Sequence, residues 1–211
     1  MKAKKKIAEK YDEIYSAPGN VFGGEKGEPD SIVVEALKHI NTGKILDLGA
    51  GEGRHALFLA EKGFDVHAVD ISEVGIKKLR EQAEKRGLDI KAEIADLAEF
   101  RIDDFYDMII CSYVNHHLSV QESLFMIDDI KLHTNHGGLN VIATFTKDGD
   151  FFEENQLTDR YFPETQELSS LYKDENWQII EYREEKTVAK QKHPDGRSML
   201  NFAALLIAKK L

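Results

Sequence analysis

The chain has 211 residues, 42% apolar and 31% charged, with 28 Lys and Arg against 38 Asp and Glu and a formal net charge of −10. That is the composition of a single soluble domain able to build a full core, and its acidity repels phosphate backbones and anionic lipid, so neither nucleic acid nor membrane is an expected partner. A lone Cys111 fits a reducing cytoplasm, the longest apolar runs are strand-sized rather than membrane-spanning, and the charges within IAEKYDEIY argue against a secretory leader.

In chain order, residues 3 to 16 are predicted to form a helix. A glycine-rich stretch, 17 to 28, reads as mobile, and Pro29 opens a second helix. KILDL (44 to 48) is the first strand, followed by a helix that Gly63 stops and by FDVHAVD (64 to 70) as the second strand. Ser72 caps the next helix, which turns Val74, Ile76, Leu79 and Ala83 inward and ends before Gly87. DIKAEIAD (89 to 96) and YDMIICSY (106 to 113) are the third and fourth strands, and Ser119 with Glu122 makes a capping box for a helix reaching about Leu132. His136-Gly137-Gly138 reads as a turn before LNVIATFT (139 to 146), the fifth strand. Residues 147 to 164 lack a period and read as a loop or lid, with a helix over about 165 to 174. WQIIEYREEKTV and SMLNFAALLIAKK, joined by HPDGR, read as an antiparallel hairpin.

The alternation of strand and helix predicts one α/β domain over 1–211, a doubly wound, mostly parallel sheet with helices on both faces and one reversed strand near its edge. Within it, 1–28 is an N-terminal helix and mobile cap, 29–146 the binding core, and 147–211 the lid, a helix and the hairpin.

Most of the chemistry is expected in DLGAGEGRH, residues 47 to 55, where the first strand gives way to a helix. Gly49, Gly51 and Gly53 permit a turn closed to other side chains and let a ligand lie on the backbone, so Gly51→Val is expected to fill the space where ligand meets main chain. A dinucleotide fingerprint would need glycine at 54, which is Arg54, and no Gly-Lys-Ser/Thr follows to make a phosphate loop. Asp47 in front of the turn disfavours a pyrophosphate but suits an ammonium group, and Arg54 suits a carboxylate, if it is not simply exposed. Asp70, ending the second strand, suits two ribose hydroxyls; Asp96, ending the third, suits an exocyclic amine, though it also fits a helix cap or turn. An amino acid, a ribose and an adenine in a row describe S-adenosylmethionine.

DLGAGEG, AVD and IAD at these spacings resemble the class I S-adenosylmethionine-dependent methyltransferases, over roughly residues 29 to 211. The resemblance implies a seven-stranded sheet of six parallel strands and one antiparallel, and a cofactor site that also takes in Ala50, Ile71 and Leu97. Within that superfamily GRHALFLAEKGFDVHAVDIS, YDMIICSYVNHHL and FAALLIAKK look most like the small bacterial tellurite-resistance methyltransferases. Those carry a His and an Arg before the last strand, which makes His193 and Arg197 the counterparts here.

Tyr11, Tyr15, Phe22 and Tyr113 either pack the terminal helix on the sheet or face the sulfonium, which aromatic faces attract. His117 is expected at the mouth of the site. The rings of the doublet His116-His117 are expected to diverge, and with no cysteine pair no metal site is expected. Phe151, Phe152, Tyr161 and Phe162 of the lid read as core more readily than as a substrate box. The expected partner is a small-molecule methyl acceptor, with no oligomeric state implied. A soft anion such as a thiolate or a reduced selenium or tellurium oxyanion needs no base, whereas a hydroxyl or amine would call on His117 or His193. A binding module that senses the cofactor without turnover is the alternative.

Overall fold

The computed structural model describes residues 2–23, 26–155, 159–192 and 195–211. In chain order these form α1 (Lys2–Tyr15), α2 (Ser31–Ala36), β1 (Lys44–Leu48), α3 (Arg54–Glu61), β2 (Asp65–Asp70), α4 (Glu73–Arg86), β3 (Ile90–Ile94) and β4 (Tyr106–Ser112). A 3₁₀ turn at Asn115–His117 leads to α5 (Val120–Leu132), β5 (Thr134–Phe145), α6 (Asp150–Asn155), α7 (Glu167–Ser170), β6 (Trp177–Lys192) and β7 (Ser198–Lys210). The seven strands lie in the order β3-β2-β1-β4-β5-β7-β6. Strands β1 to β5 pair in parallel, and β7 runs antiparallel to both β5 and β6. The predicted class I methyltransferase architecture is the observed one.

Strand periodicity decides which residues meet which layer. Ile45, Val66, Met108, Ile110, Val141 and Leu205 face α2, α3 and α4 on one side of the sheet. Their neighbours Leu46, Ile109, Cys111, Ile142 and Leu206 face α5 and α7 on the other. Helix ends follow the local chemistry: Ser72 Oγ accepts from Gly75 N at 3.0 Å, Gly87 closes α4 with φ +65°, and Ser119 with Glu122 completes the capping box of α5.

Four predicted elements differ. β5 starts at Thr134, and His136-Gly137-Gly138 lies inside it, absorbed by an irregularity between the Tyr106–Thr134 and Met108–Leu139 pairs. The helix expected over 165 to 174 shortens to Glu167–Ser170, and the lid contains the short α6. The described part of 17–28 is fastened: Glu52 accepts from Val21 N and Phe22 N, and Lys78 Nζ donates to Ala17 O and Gly19 O, both at 2.9 Å. Among the described residues no helix is long and apolar enough to cross a membrane.

Candidate active site

Strand order reverses between β1 and β4, and there a cavity of about 680 Å³ opens at the carboxyl ends of the parallel strands. Its floor is the glycine turn. Gly49, Gly51 and Gly53 have φ of +76°, +57° and +90°, left-handed values that only glycine adopts without strain. Gly49 N and Ala50 N donate to Val69 O at 2.8 and 3.0 Å, bolting the turn to β2. Gly49 and Ala50 line the cavity, whereas Gly53 packs beneath Leu79. The space above Gly51 is held by Tyr15: a Cβ at 51 would overlap the tyrosine hydroxyl. A side chain there would strike the covering helix before it reached any ligand.

Asp70, Ile71, Asp96 and Leu97 line the cavity from the ends of β2 and β3. Asp70 is 7% exposed and accepts from Gly51 N and Ser72 N, one bond of 2.8 Å on each oxygen. Burial, reinforced by the Asp47 and Asp12 carboxylates, outweighs those bonds and raises its pKa to about 6. Asp96 Oδ1 accepts from Ala98 N at 3.0 Å, the turn-capping role that its position allowed.

Asp30, just before α2, was not singled out in the sequence, yet it organises one wall. It takes Arg54 bidentately at 2.7 and 2.6 Å, stands 3.2 Å from His55 Nε2, and accepts from Ser112 Oγ at 2.7 Å. Burial opposes its charge, but His55 and the Arg54 guanidinium prevail and hold the carboxyl well below the usual range. On the far side of His55, Asp47 is 1% exposed, with Oδ1 3.7 Å from His55 Nδ1, and neither carboxylate oxygen has a hydrogen-bond partner among the described residues. Burial works against a charged His55; the two carboxylates outweigh it and raise the ring's pKa. Arg54 thus lines the cavity with its fork already engaged, and Asp47 lies behind the wall rather than in it.

The roof is aromatic. Tyr11, Tyr15, Phe22 and Tyr113 all line the cavity. Asp12 holds α1 in place, accepting from Ser72 Oγ at 2.6 Å and Val74 N at 3.1 Å. Tyr113, just past β4, has φ +55°, a conformation costly for a bulky residue and typical of a constrained site. The Tyr11 hydroxyl and His117 Nε2 share a hydrogen bond of 2.6 Å. Burial, aided by Lys10 and Arg160, pushes the His117 pKa down to about 4, and burial lifts that of Tyr11 to about 12.

The histidine doublet does not diverge, because the 3₁₀ turn brings its rings to 3.9 Å between centroids. His116 is 6% exposed, lines the cavity, and has a buried Nδ1 with no partner among the described residues. From the lid, Tyr161 and Phe162 are core, Phe152 packs on Phe162, and Phe151 joins the cavity wall. Arg160, also unforeseen, lines the cavity and donates to the His117 carbonyl. Of the residues expected before the last strand, His193 lies outside the described residues. Arg197 is exposed, paired with Asp195 at 2.7 Å, and is not brought to the cavity.

Comparison with known proteins agrees with this geometry. The model of the family described as tellurite resistance protein TehB matches residues 25–206. A probable S-adenosyl-L-methionine-dependent methyltransferase TehB from Haemophilus influenzae is 34% identical over 188 residues, covering 84% of this chain and 61% of the relative. The chain therefore spans about three-fifths of the length of the curated relative. The crystal structure of TehB from H. influenzae superposes with a TM-score of 0.78 at 28% identity, covering 90% of this chain and 66% of that one. The magnesium protoporphyrin IX methyltransferase of Synechocystis PCC 6803, with 17% identity and a TM-score of 0.67, covers 99% of this chain and 100% of that one and shares the fold. With the sequence profile, the sheet order and the β1/β4 cavity in agreement, the chain belongs to the tellurite resistance protein TehB family.

Proposed function

We propose that the protein binds S-adenosylmethionine and transfers its methyl group to a small-molecule acceptor in the cytoplasm. The observation that carries this is one cavity, at the strand-order switch, that joins the glycine turn and Asp70 to an aromatic roof. Each Asp70 oxygen accepts a single backbone N–H, which leaves lone pairs for the two ribose hydroxyls. Asp96 and Leu97 flank the adenine end. Asp47, buried behind the wall beside His55, places a carboxylate near the amino-acid end, which suits an ammonium group. Arg54 has its charge matched by Asp30, which leaves the backbone N–H groups at the start of α3 for the carboxylate. Tyr11, Tyr15 and Tyr113 present π faces to the cation.

When bound, S-adenosylmethionine supplies a methyl group already activated by its sulfonium leaving group. The chain's own contribution is to align an acceptor behind that methyl and exclude water, and alignment alone supplies about 7 to 11 kcal/mol. His117, neutral and bonded to Tyr11 at physiological pH, is too weak a base to deprotonate a hydroxyl or an ammonium. This favours a soft nucleophile that arrives as an anion, such as a thiolate or a reduced selenium or tellurium oxyanion. Calorimetric titration with S-adenosylmethionine and its demethylated product tests the reading. Saturable binding of both, with release of demethylated cofactor on addition of a soft acceptor, is expected; no binding at millimolar ligand rules it out.

A further inference from the structure

The cavity has two chemically distinct halves. The ends of β1, β2 and β3 supply the glycine turn, Asp70 and Asp96, whereas the ends of β4 and β5 with the lid supply rings. Phe145 lies 5.1 Å from His116 and 5.8 Å from Phe151 between centroids, and His116 5.6 Å from Phe151, a closed circuit of three rings that Tyr113 joins at 4.8 Å from Phe145. Phe162 backs the circuit at 6.0 Å from both His116 and Phe151. The lid ring is placed deliberately: Phe151 N donates to Asn201 Oδ1 at 3.0 Å, and Asp150 accepts from Leu200 N at 2.7 Å, so β7 hangs α6 over the cavity.

Among the described residues the charges around this half do not form an anion trap. Lys10 and Arg160 line it, but so do Asp159 and Glu122, and Asp159 stands 3.9 Å from Arg160. His116 is held neutral by burial. A small, strongly hydrated oxyanion entering here would exchange its water for ring faces and a balanced set of charges, a costly transfer. A ring-bearing acceptor would instead bury its apolar surface.

From this wall, and resting on the methyltransferase reading above, we propose that Tyr113, His116, Phe145 and Phe151 form the acceptor subsite and that it selects a flat, apolar thiol, an aryl thiol, over hydrophilic thiols and inorganic oxyanions. The aryl thiol loses its proton to solvent before attack. The thiolate sulfur then forms a bond to the methyl carbon as the carbon–sulfonium bond breaks, and that electron pair returns to the cofactor sulfur. The products are an aryl methyl thioether and neutral demethylated cofactor. Because a negative and a positive charge cancel along this path, low-polarity walls favour the transition state over the separated ions.

The test offers thiophenol, 2-mercaptoethanol, selenite and tellurite separately to the full chain with S-adenosylmethionine, and quantifies methylated product and demethylated cofactor by mass spectrometry. We expect kcat/KM for thiophenol, referred to the thiolate present at the assay pH, to exceed that for 2-mercaptoethanol on the same basis by roughly 30-fold or more, the worth of burying a phenyl ring, and to exceed that for either oxyanion. Phe151→Ala narrows the ratio between the two thiols by roughly tenfold, mainly through KM, and Phe151→Leu restores part of it. Both variants keep their affinity for demethylated cofactor, which shows that they are folded. Equal or better use of 2-mercaptoethanol or tellurite overturns the proposal. So does absence of thioether from thiophenol in a protein that still binds cofactor, or an equal loss with both thiols in Phe151→Ala. Failure to bind cofactor at all would instead defeat the methyltransferase reading beneath it.

Discussion

Asp70 carries two duties at once, and their energetics pull in opposite directions. It holds the glycine turn through Gly51 N and Ser72 N while its burial raises its pKa from 3.8 to about 6. Between those two pH values the folded protein binds a proton that the unfolded chain does not, so this group's contribution to stability falls as pH rises from about 4 to 6 and is level above. Ribose hydroxyls donate best to the ionised form, so cofactor affinity is expected to rise over the upper part of that window and reach a plateau above about pH 7. Asp70→Asn should flatten both slopes and weaken cofactor binding by about 1 to 3 kcal/mol, read by calorimetry at pH 5.5 and 8. Cofactor affinity independent of pH in the native chain would refute the assignment. His117 behaves oppositely. Burial lowers its pKa from 6.5 to about 4, so its stabilising share is whole above 6.5 and lost as pH falls toward 4. A ¹H–¹³C titration of the histidine rings should therefore find His117 unprotonated at pH 6, and a midpoint near 6.5 would undo the case against a general base.

At the scale of elements, α1 is a cover, with Tyr15 buried over Gly51 and Tyr11 bonded to His117. Asp12 fixes it to the start of α4, and Lys78 and Glu52 fasten the segment that follows. Lys78→Gln removes the ion pair with Glu52, 3.2 Å apart, and weakens the grip on the Ala17 and Gly19 carbonyls. It should speed limited proteolysis between residues 17 and 28 and raise the dissociation rate of the cofactor several-fold, while changing the melting temperature of the free protein little. Equal proteolysis of variant and native chain would show that the fastening lies elsewhere. This fastening is also where sequence reading reaches its limit. β1 to β4, the caps at Ser72 and Ser119, and the carboxylates at the end of β2 and just past β3 are legible because each depends on residues a few positions apart. A glycine cluster reports that the backbone of 17–28 has no preference of its own, but not that Glu52 and Lys78 will supply one. Asp30 escaped notice for the same reason, since its partners Arg54, His55 and Ser112 lie 24 to 82 residues away. Gly137 and Gly138 signalled a turn, and β5 takes them in because its pairing with β4 tolerates an irregularity there.

For the whole molecule the decisive fact is that the cavity touches nearly every layer: the turn after β1, the ends of β2 to β5, α1, and the lid hung from β7. A ligand seated there contacts the native arrangement of all these parts and has no comparable site in the unfolded chain. Binding at 100 times Kd then adds about 2.7 kcal/mol to the free energy of unfolding. For a domain of this length each kcal/mol moves the midpoint by about 2 to 4 °C, so saturating demethylated cofactor should raise the melting temperature by about 5 to 10 °C in differential scanning fluorimetry. The shift should grow with the logarithm of ligand concentration and shrink in Asp70→Asn. A ligand that left the melting temperature of the native protein unchanged at that excess would not be occupying the cavity, because any ligand that binds the native state alone stabilises it by mass action.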